Sequence, residues 1–142
     1  MAKGKALAKA DYEKLAAFRF ALRQFLHFSE EAALGAGLTP QKHQALLAIK
    51  GFPGRDHVTV GELAERLQVR HHSAVGLIDR LVADRLLLRS PGSTDRRVVH
   101  LRLSAQGEKV LARLSEAHQE QLRRMGPKIL GLLESVARGT SE

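Results

Sequence analysis

The stretch from Thr59 to Leu103, TVGELAERLQVRHHSAVGLIDRLVADRLLLRSPGSTDRRVVHLRL, constrains this chain most, because its apolar period changes from helical to strand-like within one short span. Thr59 followed by Glu62 is a capping box, in which each side chain satisfies the other's backbone donor, so a helix starts near Val60. Leu63, Ala64 and Leu67 share one face of it, and Glu62, Glu65 and Arg66 the other. Gln68, Val69 and Arg70 form a turn, with Val69 as the apolar plug, and a second helix starts at about His71. In that helix Ala74, Leu77, Ile78 and Leu81 recur at the spacing of a core-facing stripe.

The opposite face is then fixed by geometry. It centres on His72, Gly76, Asp79 and Ala83, flanked by Ser73, Val75 and Arg80. After the helix pair, Leu86 to Arg89 reads as a short strand, Ser90-Pro91-Gly92-Ser93-Thr94 as turn chemistry, and Val98 to Leu103 as a second strand. The tip carries Asp95, Arg96 and Arg97, and an arginine at a hairpin tip has the reach and fixed charge to enter a narrow minor groove. Helix, turn, helix and basic hairpin together make a winged helix-turn-helix. Its outward helix face would lie in the major groove of double-stranded DNA.

Charge agrees with that reading. The formal net charge is +8, and from Arg66 to Arg102 there are eight arginines against three aspartates. A basic surface concentrated on the reading head raises association rate and non-specific affinity, both strongly salt-dependent. A membrane-surface role fits less well, because these arginines are spread over a helix pair and a hairpin rather than one amphipathic helix.

On these residues the chain resembles the MarR family of winged-helix transcription regulators, from about Asp11 to Arg138. The specific part is the Thr59–Leu103 order, with Leu77-Ile-Asp-Arg-Leu81 in the second helix, Asp95-Arg96-Arg97 in the wing, and Leu101-x-Leu103-Ser104-x-x-Gly107 after it. The resemblance implies a recognition helix running from His71 to Arg80, whose contacts would come from Arg70, His71, His72, Ser73, Val75, Gly76 and Arg80. It implies that Arg96 or Arg97 enters the minor groove and that Asp95 orients a wing arginine. It further implies a homodimer bound to a pseudo-palindromic operator, acting as a repressor, with a small aromatic acid as effector. Phe25, Phe28, His43 and Leu47 would line the effector space. Family sequences often carry serine or threonine before the recognition helix and a polar or basic residue at the place of Gly76. Here Arg70, His71 and His72 stand at the helix start.

That departure has its own physics. Cationic side chains at a helix N-terminus oppose the positive end of the macrodipole, and a bound anion relieves the conflict. His71 and His72 are therefore expected to meet phosphate or base edges, with protonation strengthening binding as pH falls; equal affinity at pH 6 and pH 8 would exclude the protonation effect. Gly76 costs about 1 kcal/mol of helix propensity against alanine, and close approach to DNA supplies a reason for it. Val75 has the apolar surface to touch a thymine methyl.

The rest of the chain reads as helical. Asp11 to Gly35 is one long apolar-periodic run, Thr39-Pro40 caps a helix that ends near Gly51, and Ser104 caps another through about Met125. Gly126-Pro127 is expected to break that helix, with a further one resuming from Lys128 to Ala137. The fold class is thus mainly α with a small β-hairpin, a single domain over 1–142. Segments 11–36 and 104–138 are the dimerisation helices, and 39–103 is the DNA-binding lobe. Leu7, Leu15, Phe18, Phe25, Leu130, Leu133 and Val136 give the terminal helices more apolar face than one small lobe covers. Lys3, Lys5 and Lys9 read as a frayed basic arm and Gly139 to Glu142 as a disordered end.

No run approaches the ~18 apolar residues of a membrane span, and no secretion signal is evident, so the expected location is the cytoplasm. There is no cysteine, which excludes thiol-based sensing. Phosphate-binding glycine loops, nucleophile elbows and His-Glu-x-x-His pairs are missing, so no enzyme, cofactor or metal role is expected. A zinc site assembled from His27, His43 or His118 has little to support it, since no two histidines stand at i,i+4. The competing reading is an architectural, non-specific nucleic-acid-binding module.

Overall fold

The structure is a computed structural model that describes residue 4 and residues 6–139. Eight elements follow in order: α1 (Lys9–Gly35), α2 (Pro40–Lys50), β1 (His57–Val58), α3 (Val60–Leu67), α4 (His71–Ala83), β2 (Leu87–Pro91), β3 (Val99–Leu103) and α5 (Ala105–Arg138). They gather into two compact units, one of residues 32–116 and one of residues up to 31 together with those from 117.

The 32–116 unit holds the helix-turn-helix and the wing. Its local signals act as the sequence predicts. Thr59 accepts a hydrogen bond from the Glu62 amide and Glu62 accepts one from the Thr59 amide, which closes the capping box of α3. Thr39 caps α2 from one side, its hydroxyl oxygen accepting from the Lys42 amide, with Pro40 in the first turn. Gln68 ends α3 in the left-handed conformation, at φ 56°, which turns the chain sharply into α4. The predicted stripe of Ala74, Leu77, Ile78 and Leu81 is buried throughout. Leu77, Ile78 and Leu81 pack in one cluster with Leu46 and Ile49 of α2, Leu63 of α3, Val58 of β1, and Leu87, Leu101 and Leu103 of the sheet.

That sheet has three antiparallel strands in the order β1-β3-β2. The hairpin was legible in the sequence, although β2 runs Leu87–Pro91 rather than Leu86–Arg89 and β3 begins at Val99 rather than Val98. β1 was not expected. His57 and Val58 pair with Arg102 and Leu101, and Val58 closes the edge of the core.

Ser104 joins the wing to α5. Its hydroxyl donates to the Arg85 carbonyl at 2.6 Å and accepts from the Gly107 amide at 3.0 Å. A Cβ at Gly107 would lie 2.3 Å from the Leu86 carbonyl oxygen, so only glycine lets α5 start this close to the backbone that enters β2.

In the other unit α1 and α5 extend further than the patterning indicates. α1 starts at Lys9, where the Asp11 carboxylate accepts from the Ala8 amide; Lys9 therefore belongs to the helix and not to a frayed arm. Lys3, Lys5 and residues 140–142 lie outside the described residues. α5 does not break at Gly126-Pro127 but runs through Pro127 to Arg138. Proline removes one backbone donor, which frees the Arg123 carbonyl. Arg123 and Pro127 are both exposed, so water can take that carbonyl's bond. No described helix is long and apolar enough to cross a membrane.

Candidate nucleic-acid interface

The predicted contact residues of α4 lie on its open side. Arg70, His71, His72, Ser73 and Arg80 are exposed, Val75 is 37% exposed, and Gly76 is half-buried. Arg70 occupies the N-cap position in extended conformation and gives no side-chain cap, in contrast to the threonines that cap α2 and α3. The first amides of α4 are therefore not taken up by a capping side chain, and the helix dipole and the flanking cations favour an anion there.

Beside α4 lies an open cavity of about 570 Å3. Leu67, Val69 and Leu77 supply apolar lining, and its polar lining comes from Gln41 and Gln44 of α2, Arg66 of α3, and His72, Ser73 and Arg80 of α4. Gln41, Gln44 and Arg66 are functional candidates that sequence reasoning missed. Their polarity and their outward helix positions were visible, but nothing local says that α2 and α3 present them next to the same face of α4. Arg66 lies over the Phe52 ring, 5.0 Å from its centroid, and Arg55 at 4.4 Å. Arg55 also pairs with Glu62. Partial burial pushes the Glu62 carboxyl up, yet hydrogen bonds from the Thr59 amide, Arg55 and Thr59 together hold its pKa below the usual value.

The wing tip is a closed turn. The Gly92 amide donates to the Val98 carbonyl at 2.7 Å and the Val98 amide to the Asp95 carbonyl at 3.1 Å. Gly92 is buried in this turn, and a Cβ there would fall 2.6 Å from the Asp95 oxygen. The Asp95 carboxylate accepts from the Arg97 amide at 3.0 Å, from Arg97 Nε at 3.2 Å and from its Nη2 at 3.2 Å. These bonds lower the Asp95 pKa. Of the two wing arginines Arg97 is the one Asp95 holds, while Arg96 is exposed and makes no ion pair among the described residues.

Asp79, at the centre of the expected groove face, is engaged by Arg89 of β2. The four residues named for an effector space divide between the two units. Phe25 and Phe28 stand edge-on to the His118 ring, with centroids 6.0 and 5.5 Å away, and His118 shares a hydrogen bond with Ser29 at 2.7 Å. His43 is buried in the 32–116 unit and Leu47 is exposed there. None of the four lines the cavity beside α4. Among the described residues no group of three or more histidines, cysteines or carboxylates is placed to hold a metal ion.

Residues 36–98 match the family model of the MarR family. An uncharacterized HTH-type transcriptional regulator of Bacillus subtilis strain 168, YsmB, is 34% identical over 68 residues, which is 48% of this chain and 47% of that protein. The match thus takes in about half the length of that relative. AbsC, a MarR family transcriptional regulator from Streptomyces coelicolor, superposes with a TM-score of 0.71 at 20% identity, over 86% of this chain and 82% of its own. A mutant MarR from E. coli, solved in complex with operator DNA, gives a TM-score of 0.65 at 20% identity, over 84% and 87%. At these identities the solved structures establish the winged-helix fold.

Proposed function

From the match of residues 36–98 to the MarR family model, we propose that this chain is a MarR-family winged-helix protein and a sequence-specific DNA-binding transcription regulator. It acts as a homodimer and represses by occupying a pseudo-palindromic operator. The observation that carries the reading is the pairing, within one unit, of an uncapped and basic helix start at Arg70–Ser73 with a wing arginine, Arg97, aimed by Asp95. Arg70, His71, His72, Ser73, Val75, Gly76 and Arg80 meet the major groove, with Arg66, Gln41 and Gln44 beside them for phosphate. Arg97 enters the minor groove, and Arg96 adds charge at the backbone.

Dimerisation is supported by the apolar surface that one chain leaves uncovered. Phe20 is 61% exposed and Leu130 58%, with Leu15, Leu26 and Leu133 also open. Scattered exposed leucines are ordinary, but this many on two long helices of one unit mark an interaction surface. A second copy supplies the cover and presents two recognition helices to one operator. Release by a small aromatic acid at Phe25, Phe28, His43 and Leu47 rests on the family likeness alone.

Selection of bound duplex from a random library at about 150 mM salt tests the reading, because purely electrostatic binding is weakened there. An enriched inverted repeat with half-sites about ten base pairs apart is the expected result. Recovery of unrelated duplexes would replace the regulator with an architectural module, to which the net charge of +8 also lends itself.

A further inference from the structure

Asp79 is the one acidic residue of α4. On a face built for phosphates, a bare carboxylate repels the ligand, and the repulsion grows as water leaves the interface. Its partner is placed by strand alternation. In β2, Leu87 and Arg89 pair with Leu103 and Leu101 of β3, so Arg89 shares the inward side of the sheet with buried leucines. Leu87 is 1% exposed, whereas the Arg89 side chain, two residues on, is 44% exposed at the edge of the core. From there its guanidinium donates to Asp79 Oδ1. Unlike the i,i+4 pairs of α1 and α5, this contact joins the recognition helix to the wing.

We propose that Arg89 is a positioning residue, which neutralises the carboxylate of Asp79 and fixes the wing against α4 without itself contacting DNA. The inference rests on the DNA-binding reading above. Asp79 in turn does not read a base, although a free carboxylate in the major groove accepts from cytosine N4.

The test is a double-mutant cycle on the full chain. Arg89→Gln, Asp79→Asn and the double variant are compared with wild type by fluorescence anisotropy, on the duplex that wild type selects and over a range of salt, with circular dichroism confirming the fold. Arg89→Gln should weaken binding at least tenfold, since it leaves the Asp79 charge uncompensated. Asp79→Asn should shift affinity less than threefold and leave the selected sequence unchanged, and the double variant should return to within threefold of Asp79→Asn. A double variant as weak as Arg89→Gln, with a salt slope reduced by about 1 as for a lost phosphate contact, would make Arg89 a DNA contact and overturn the proposal. Altered base preference in Asp79→Asn would overturn it as well. If wild type selects no duplex, it is the DNA-binding reading that falls. Urea denaturation of the same four proteins then decides on the helix–wing tie, which energetic independence of the two residues would refute.

Discussion

Replacing Gly76 by alanine separates the two demands on the outward face of α4. Glycine in a helix interior is about 0.8–1.0 kcal/mol less favourable than alanine, because the unfolded chain loses more freedom. Nothing in the fold asks for that cost. A Cβ at Gly76 has Arg80 Nη1 as its nearest neighbour, at 3.6 Å, an ordinary van der Waals contact with the mobile end of a side chain. The backbone there is not in the left-handed region, so alanine meets no strain. Gly76→Ala should therefore stabilise the fold by about 1 kcal/mol in urea denaturation. In the proposed complex with operator DNA the same methyl would stand between the α4 backbone and the base edges. A contact that needs the bare backbone would lose at least tenfold in affinity, equivalent to about 1.4 kcal/mol. Greater stability with weaker binding is the expected pair of results. Greater stability with unchanged binding would refute the close-approach explanation for the glycine, and lower stability would refute the open space around it.

Three further outcomes follow from local geometry. Gly107→Ala places a Cβ 2.3 Å from the backbone oxygen of Leu86, which no side-chain motion relieves, so thermal unfolding should show a loss of several kcal/mol, as at other positions of forced overpacking. Thr59→Ala removes the α3 cap and should cost about 1 kcal/mol in denaturant titrations. The Glu62 share of this network has a depressed folded pKa, so its stabilisation is present above the ordinary carboxylate value of 4.5 and is lost as pH falls through the lower, folded one; a stability profile flat across the acid range would contradict it. Arg97→Ala should weaken operator binding at least tenfold and lower the salt slope, while Asp95→Asn, which leaves the charge but frees its aim, should cost less; equal effects of Arg96→Ala and Arg97→Ala would refute the assignment of the minor-groove arginine.

The recognition unit was legible in one dimension because its signals are local. The Thr59 and Thr39 caps, the Ser104 cap and the Ala74-Leu77-Ile78-Leu81 stripe each act within two helical turns, where the backbone itself fixes who meets whom. The turn residues that set the hairpin are likewise neighbours along the chain. Pro127 shows where a local rule is outweighed, since its single lost bond falls on an exposed turn of a helix that continues on both sides.

What the tertiary structure alone decided involves residues far apart in sequence. β1 is two residues long, too short to carry a period, and exists because β3 offers His57 and Val58 an unpaired edge. Arg66 becomes a neighbour of Gln44 and Arg80 only when α2, α3 and α4 pack on one core. Asp95 chooses Arg97 over the adjacent Arg96 through the closure of the wing turn. Arg89 meets Asp79 because strand register turns an arginine inward just where the core ends. Hydrophobic period and capping chemistry set the elements from within a few residues. Partnership between elements depends on register and packing, which no window along the chain contains.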